Sequence, residues 1–160
     1  MSDEKEMKLT LQTYSTLIKM LDNEGLKYET DQEKMMIKFN IRGENLPMDF
    51  VFRFLPERSI VTLFSFIPFN VSEDKRQVVA IALAYANYGL IDGCFDMDFS
   101  DGEIKFRLAS CYSESLFSEA LFKFMFCATF MTVRKYNDRL LMLAKGMIDL
   151  EKFIELEKSK

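Results

Sequence analysis

An alternation of apolar and polar side chains over residues 48–55 constrains the fold of this chain more than any other feature of its sequence. Successive side chains of a strand point to opposite faces, so one face of this strand would carry three aromatic rings, namely Phe50, Phe52 and Phe54. The other face would carry Asp49, Val51 and Arg53. The pattern predicts a sheet with one buried, phenylalanine-rich face and one face in contact with water.

The segments around this strand predict further elements. Apolar residues recur three and four positions apart over residues 11–21, which predicts a first helix. Gly25 would end that helix in a left-handed turn that brings Leu26 against Leu21. Alternation predicts further strands at residues 26–30, 37–41 and 60–67. Ser72 would begin a second helix that ends near Leu90.

A hairpin is predicted at residues 94–108, because Asp101-Gly102 would form a two-residue turn between alternating strands. Its register would place Phe95, Met97 and Phe99 on the buried face. Two charge pairs would lie on the outer face, Asp96 with Arg107 and Asp98 with Lys105. The resulting order, α-β-β-β-(β)-α-β-β-α, predicts an α+β domain with an antiparallel sheet and helices packed on one face.

Two segments are apolar on more sides than one small sheet would cover. The strand at residues 60–67 is apolar on both faces, so it is either central and covered on both sides or presents one face to another molecule. The helical segment that starts at Leu116 carries phenylalanine and methionine on most of its sides. It would continue to the end of the chain with a break at Gly146. A homodimer would bury the apolar surface that the sheet leaves uncovered. The candidate dimer or partner-binding surface is Val61, Leu63, Ile67, Phe124 and Phe130.

Charge and residue types exclude several classes of function. The chain has 160 residues, with 21 basic and 25 acidic side chains, and a net charge of −4 does not suit binding to nucleic acid or anionic membranes. Histidine is absent, which excludes imidazole-based triads and histidine-ligated zinc. The acidic residues around Asp101 lack the spacing of a calcium loop, and no glycine-rich phosphate loop occurs. We therefore expect no enzyme activity, no catalytic residues, no metal and no cofactor.

The cysteines and the N-terminus favour a cytoplasmic protein. The chain has an odd number of cysteines, and they are widely spaced: Cys94, Cys111 and Cys127. This is typical of buried, reduced thiols. The first six residues are acidic and polar, whereas a secretion signal would be basic and then apolar. Glu119 and Lys123, which are spaced for a surface ion pair, interrupt the apolar segment near the C-terminus, so we expect no membrane span.

Four segments together resemble the YbjN family, which is described as bacterial sensory transduction regulators and is similar in fold to type III secretion chaperones. They are the helix end at residues 25–29, the helix at 84–88, the hairpin at 94–107 and the long final helix. The resemblance implies a single domain over residues 1–160, with residues 137–160 as a C-terminal helical extension. No site residue of the family can be assigned by position.

The resemblance implies a non-enzymatic domain that dimerises and binds other proteins, as secretion chaperones hold partly unfolded segments. The composition, with 11 methionines and 16 phenylalanines, allows two functional hypotheses. In the first, the domain binds segments of a protein partner through an apolar sheet or helix surface. In the second, it holds a small apolar ligand or lipid in a cavity lined by phenylalanine and methionine between the sheet and the helices.

Overall fold

The structure, a computed structural model, describes residues 2–113 and 117–158 and confirms the predicted α+β class. The described residues form four helices and six strands in the predicted order, with the final helical segment divided in two. These elements are α1 (Ser2–Asn23), β1 (Tyr28–Asp31), β2 (Met36–Ile41), β3 (Met48–Leu55), β4 (Ile60–Asn70), α2 (Arg76–Tyr88), β5 (Cys94–Met97), β6 (Glu103–Cys111), α3 (Glu119–Ala144) and α4 (Leu150–Lys158).

The six strands form one antiparallel sheet in the order β1-β2-β3-β4-β6-β5. β4 lies inside the sheet, where Leu63 is paired with Phe52 of β3 on one side and with Leu108 of β6 on the other. We call the face that contains these three side chains the inner face, and the opposite one the outer face. The interior position of β4 explains half of its apolar sequence, because its inner-face side chains are buried in the core.

Helices α1 and α3 pack on the inner face and close the core. Ring pairs join the sheet to these helices, and those of β3 have centroid separations of 5.3–5.6 Å, namely Tyr14–Phe54, Phe50–Phe126 and Phe52–Phe122. Each buried ring removes a large apolar area from water, which stabilises the fold by about 1.5–3 kcal/mol per side chain. The predicted phenylalanine-rich face is therefore the floor of the core.

Two glycines end helices by the same geometry. Gly25 has a φ of +66°, and Leu26 N–H donates to the carbonyl of Leu21 at 3.0 Å, as predicted. Gly146 has a φ of +69°, and Met147 N–H donates to a carbonyl of the last turns of α3 at 2.8 Å. Gly146 therefore makes the break that the sequence predicts, and it separates α3 from α4.

The predicted register of the β5–β6 hairpin is wrong by two residues. Cys94 is paired with Arg107, and Asp96 is paired with Lys105. Asp96 still forms an ion pair with Arg107, at 2.7 Å, because diagonal neighbours on one face of a sheet remain within reach of long side chains. The shift exists because the connection is a loop over residues 98–102 and not a two-residue turn.

Asp98 stabilises this longer loop. Its carboxylate accepts hydrogen bonds from the backbone N–H of Ser100 at 2.8 Å and from the hydroxyl of Ser100 at 2.6 Å. Asp98 also accepts the N–H of Gly102 through its own carbonyl, at 2.8 Å. Local bonds of this kind let an aspartate compete with a tight turn. As a result Phe99, which we expected on the buried face, is exposed.

Other details of the helices and cysteines also differ from the predictions. α1 begins at Ser2, and Leu11 lies on its exposed side. Lys123 forms its ion pair with Glu24, directly after the end of α1, at 2.7 Å, rather than with Glu119. All three cysteines are free, but two of them, Cys111 and Cys127, are exposed rather than buried. Leu116, the predicted start of the third helix, lies outside the described residues.

The hairpin loop leaves no room for a side chain at Gly102. Its φ is +80°, and a Cβ added there would lie 2.1 Å from the carbonyl oxygen of Val71. Gly25 has a similar φ, but a Cβ there would meet nothing within 4 Å. We therefore expect Gly102→Ala to lower the free energy of unfolding by at least about 2 kcal/mol more than Gly25→Ala, measured by equilibrium unfolding in urea. Equal losses in the two variants would contradict this account of the loop.

Candidate partner-binding surfaces

None of the described helices forms a second layer over the outer face of the sheet. Exposed side chains are spread across its strands, among them Asp49, Arg53, Arg107 and Ala109. Such exposure means that no described helix covers this face. Between the charged side chains lies a strip of three half-buried apolar residues, Val51, Phe64 and Phe66, which we call the outer-face strip.

The strip borders an open groove of about 1050 Å³ that crosses β1, β2, β3 and β4. Outer-face side chains of the four strands line it, namely Glu29, Lys38, Asn40, Asp49, Val51 and Phe66. The groove continues past the start of β1 to Gly25. It therefore offers an apolar floor with charges of both signs around it.

Ion pairs and ring contacts order the other half of the outer face. The rings of Phe64 and Phe66 lie 6.2 Å apart, and Lys105 Nζ lies 5.6 Å from the centroid of the Phe64 ring. Arg107 donates to the carboxylate of Asp96 at 2.7 Å and holds the pKa of that carboxyl below its usual range. The charges beside the strip are thus already partly paired with each other.

A second apolar surface follows α2 and the ends of β5. Five of its large apolar side chains are exposed, namely Ile81, Tyr85, Tyr88, Ile91 and Phe99. Tyr88 and Ile91 are 95% and 96% exposed, so almost all of both side chains lies in solvent. We call this set the α2 surface.

Two polar side chains hold the segments that carry the α2 surface. Arg76, at the start of α2, donates to the carbonyls of Phe99 at 2.9 Å and Ser100 at 3.3 Å, which attaches the hairpin loop to the helix. At the other end, Asn87 accepts the N–H of Phe95 at 2.7 Å and donates to its carbonyl at 3.0 Å. Asn87 thereby occupies backbone groups on the free edge of β5, as a neighbouring strand would.

The structure divides the five predicted surface residues into two groups. Val61, Leu63 and Ile67 point to the inner face and are 0%, 0% and 4% exposed, so they are part of the core and not of the surface. Phe124 lies on α3 and is half-exposed, whereas Phe130 packs partly against the core. A role for these two in partner binding stays a prediction.

The sequence shows that the strand at residues 60–67 has two apolar faces, but three of the candidate surface residues chosen from it lie on the face that the helices cover. The alternation alone does not tell which face the helices cover. The α2 surface was missed, although Ile81, Tyr85 and Tyr88 recur four and three positions apart on the helix side opposite Val79 and Leu83. Residue 137, the predicted start of the C-terminal extension, lies within α3.

The space between the sheet and α3 is filled by aromatic rings. Phe39 and Phe50 lie 5.1 Å apart, and Phe117 and Phe122 lie 4.3 Å apart. Such close packing favours a solid core over a ligand cavity at this position. The outer-face groove and the α2 surface are therefore the better candidates for a binding site.

The described part of the chain contains no cluster of three or more Cys, Asp and Glu side chains that could hold a metal ion. Within residues 2–113 and 117–158, none of the helices combines the length and the apolar character that crossing a lipid bilayer requires.

The architecture defines a fold shared by secretion chaperones and YbjN, and comparison with known proteins confirms this at the level of fold. No protein-family model and no curated protein matches the sequence. Among solved structures the chain is similar to YbjN, a proposed transcription regulator from E. coli, with a TM-score of 0.59 and 10% identity over 83% of this chain and 91% of that chain.

Two complexes share the fold as well. The chain is similar to a chain of the ExsC–ExsE complex, with a TM-score of 0.56 and 14% identity over 82% of this chain and 95% of that chain. It is also similar to a chain of the HopA1–SchA chaperone–effector complex, with a TM-score of 0.57 and 11% identity over 81% of this chain and 95% of that chain. The predicted resemblance to YbjN and to secretion chaperones is thus confirmed for the fold.

The cysteines of the outer face should differ in reactivity. The hydroxyl of Ser113 lies 3.2 Å from Cys111 Sγ and lowers the pKa of that exposed thiol, whereas burial raises the pKa of Cys94. At about pH 7 we expect alkylation, mapped by mass spectrometry, to modify Cys111 well before Cys94. Ser113→Ala should slow Cys111, and the difference should shrink as the pH rises above the ordinary pKa of a thiol. Equal rates for the two thiols near neutral pH would refute the prediction.

Proposed function

We propose that this chain is a non-enzymatic, protein-binding domain that holds an extended segment of a partner protein on its outer face. The observation that carries the proposal is the outer-face strip of Val51, Phe64 and Phe66, an apolar surface in the middle of a sheet face that no described helix covers. Exposed apolar strips with polar margins are typical of binding sites. The fold shared with the ExsC–ExsE and HopA1–SchA structures supports the proposal, since both contain a second protein.

The edges of the sheet favour one direction of approach. β1 is an edge strand, and the groove, which Val51 and Phe66 of the strip line, reaches it. At the opposite edge, the side chain of Asn87 already forms hydrogen bonds with the backbone of Phe95 in β5. A partner segment that adds a strand to β1 could make backbone hydrogen bonds there and place alternate side chains over the groove. A partner segment of alternating apolar and charged residues would suit the mixed charges around the strip.

We expect the groove to select peptides from a phage-displayed library of short random sequences, with apolar residues at alternate positions. Phe66→Asp should weaken the binding of a selected peptide, measured by fluorescence anisotropy, at least about tenfold, equivalent to about 1.4 kcal/mol. Met131→Asp is the matched control, because it places the same charge on an exposed apolar residue of α3. Loss of binding in the control and not in Phe66→Asp would move the site from the sheet to α3.

We further propose that the chain forms a homodimer through the α2 surface. Tyr88 and Ile91 are almost completely exposed, and Phe99 is held on a loop that Arg76 ties to the helix. Aromatic and aliphatic residues presented on an ordered backbone lose little entropy on binding, which suits them to anchor an interface. A two-fold axis beside α2 would bury this surface twice in one contact.

Ile91→Asp should convert the chain from dimer to monomer in sedimentation equilibrium at micromolar concentration, because a desolvated carboxylate at an apolar interface is strongly unfavourable. Met131→Asp, on the exposed side of α3, should leave the dimer intact. A wild-type chain that sediments as a monomer would rule out this part of the proposal.

We propose that the domain acts by binding alone, since its described surfaces present apolar strips and paired charges rather than a cleft with convergent reactive groups. Three free thiols suit a reducing compartment, and we expect the protein to work in the cytoplasm.

A further inference from the structure

Helix α4 is fastened to the domain by one buried ring and one buried carboxylate. Phe153 is fully buried, and its ring lies 6.4 Å from that of Tyr136 in α3. The side chain of Glu157 is 9% exposed, and its carboxylate accepts hydrogen bonds from the Tyr136 hydroxyl at 2.5 Å and from Lys135 Nζ at 2.9 Å. Arg139 also pairs with this carboxylate. A buried carboxylate is tolerated only where such donors meet it, so the three donors specify the position of α4.

The connection between α3 and α4 also lies close to the start of α2. Gly146 ends α3, and a Cβ on it would lie 3.6 Å from the side-chain nitrogen of Lys75, directly before α2. Asp149 then caps α4 by accepting the N–H of Lys152 at 2.8 Å. As a result α4 packs against both α2 and α3.

α2 depends on its neighbours because its own buried side is small. Two of its four buried side chains are alanines, Ala82 and Ala86, and small side chains contribute little area to the core. Its ends are held by Arg76 and Asn87, as described above, whereas α4 supports its flank. The side of α2 opposite its buried side chains carries the α2 surface.

We propose that α4 is a clasp that fixes the position of α2 through Phe153 and Glu157 and thereby sets the geometry of the α2 surface. This inference rests on the proposed function, because it assigns a control element to the self-association surface. Release of α4 would loosen α2 while the sheet stays folded, since the rings that cover Phe50, Phe52 and Phe54 of β3 belong to α1 and α3. The clasp would then make dimerisation depend on the C-terminal helix.

Hydrogen exchange of the full chain, followed by mass spectrometry, tests the clasp with Phe153→Ala and the milder Glu157→Gln. Glu151→Gln is the matched control, because it removes an exposed carboxylate from the same helix. We expect amide exchange in both α4 and α2 to rise about tenfold or more in the two test variants, with β2, β3 and β4 unchanged. The control should behave as the wild type. If exchange rises in α4 but not in α2, the clasp is refuted; if Phe153→Ala unfolds the sheet, Glu157→Gln decides.

Sedimentation of the same samples separates this inference from the proposed function. A dimeric wild type whose dimer weakens at least about tenfold in Glu157→Gln, with faster exchange in α2, supports the clasp. Unchanged dimer affinity despite faster exchange in α2 would overturn its role in self-association. A monomeric wild type would instead overturn the proposed dimer, and the exchange of α2 would still decide whether α4 holds that helix.

Discussion

The packing of phenylalanine rings between the inner face of the sheet and helices α1 and α3 is the interaction on which the remaining features depend. Phe52 meets Phe122 edge to face at 5.6 Å, and Phe50 meets Phe126 at 5.3 Å. Aromatic pairs in such geometry add about 0.5–1.5 kcal/mol each beyond the area that they bury. Because this packing uses one face of the sheet, the other face has no described helix over it.

One-sided packing explains why the candidate sites lie where they do. The central strand β4 has apolar side chains on both faces, so a strip around Phe64 and Phe66 remains once the inner face is filled. Exposed charged side chains flank the strip, and Asn87 forms hydrogen bonds with the backbone of β5 at that edge of the sheet. These features leave the outer-face groove accessible while restricting unspecific sheet-to-sheet association.

Sequence periodicity was sufficient for most of the fold, because a strand buried on one face and a helix with one apolar side each leave a clear pattern. The bounds of β3 and the glycine end of α1 were predicted correctly. The hairpin register was not, since the bonds from the Asp98 carboxylate to Ser100 compete with a tight turn in a way that strand alternation does not reveal. The candidate site was harder still: the face of residues 60–67 that the helices cover depends on long-range packing.

Hydroxyl-radical footprinting of the purified chain tests the central claim most directly, because it measures how accessible each ring is to solvent. The account predicts that Phe64 and Phe66, on the outer face, are oxidised several times faster than Phe50 and Phe52, which are fully buried on the inner face. Equal protection of the two pairs would contradict it, since the outer face would then be covered.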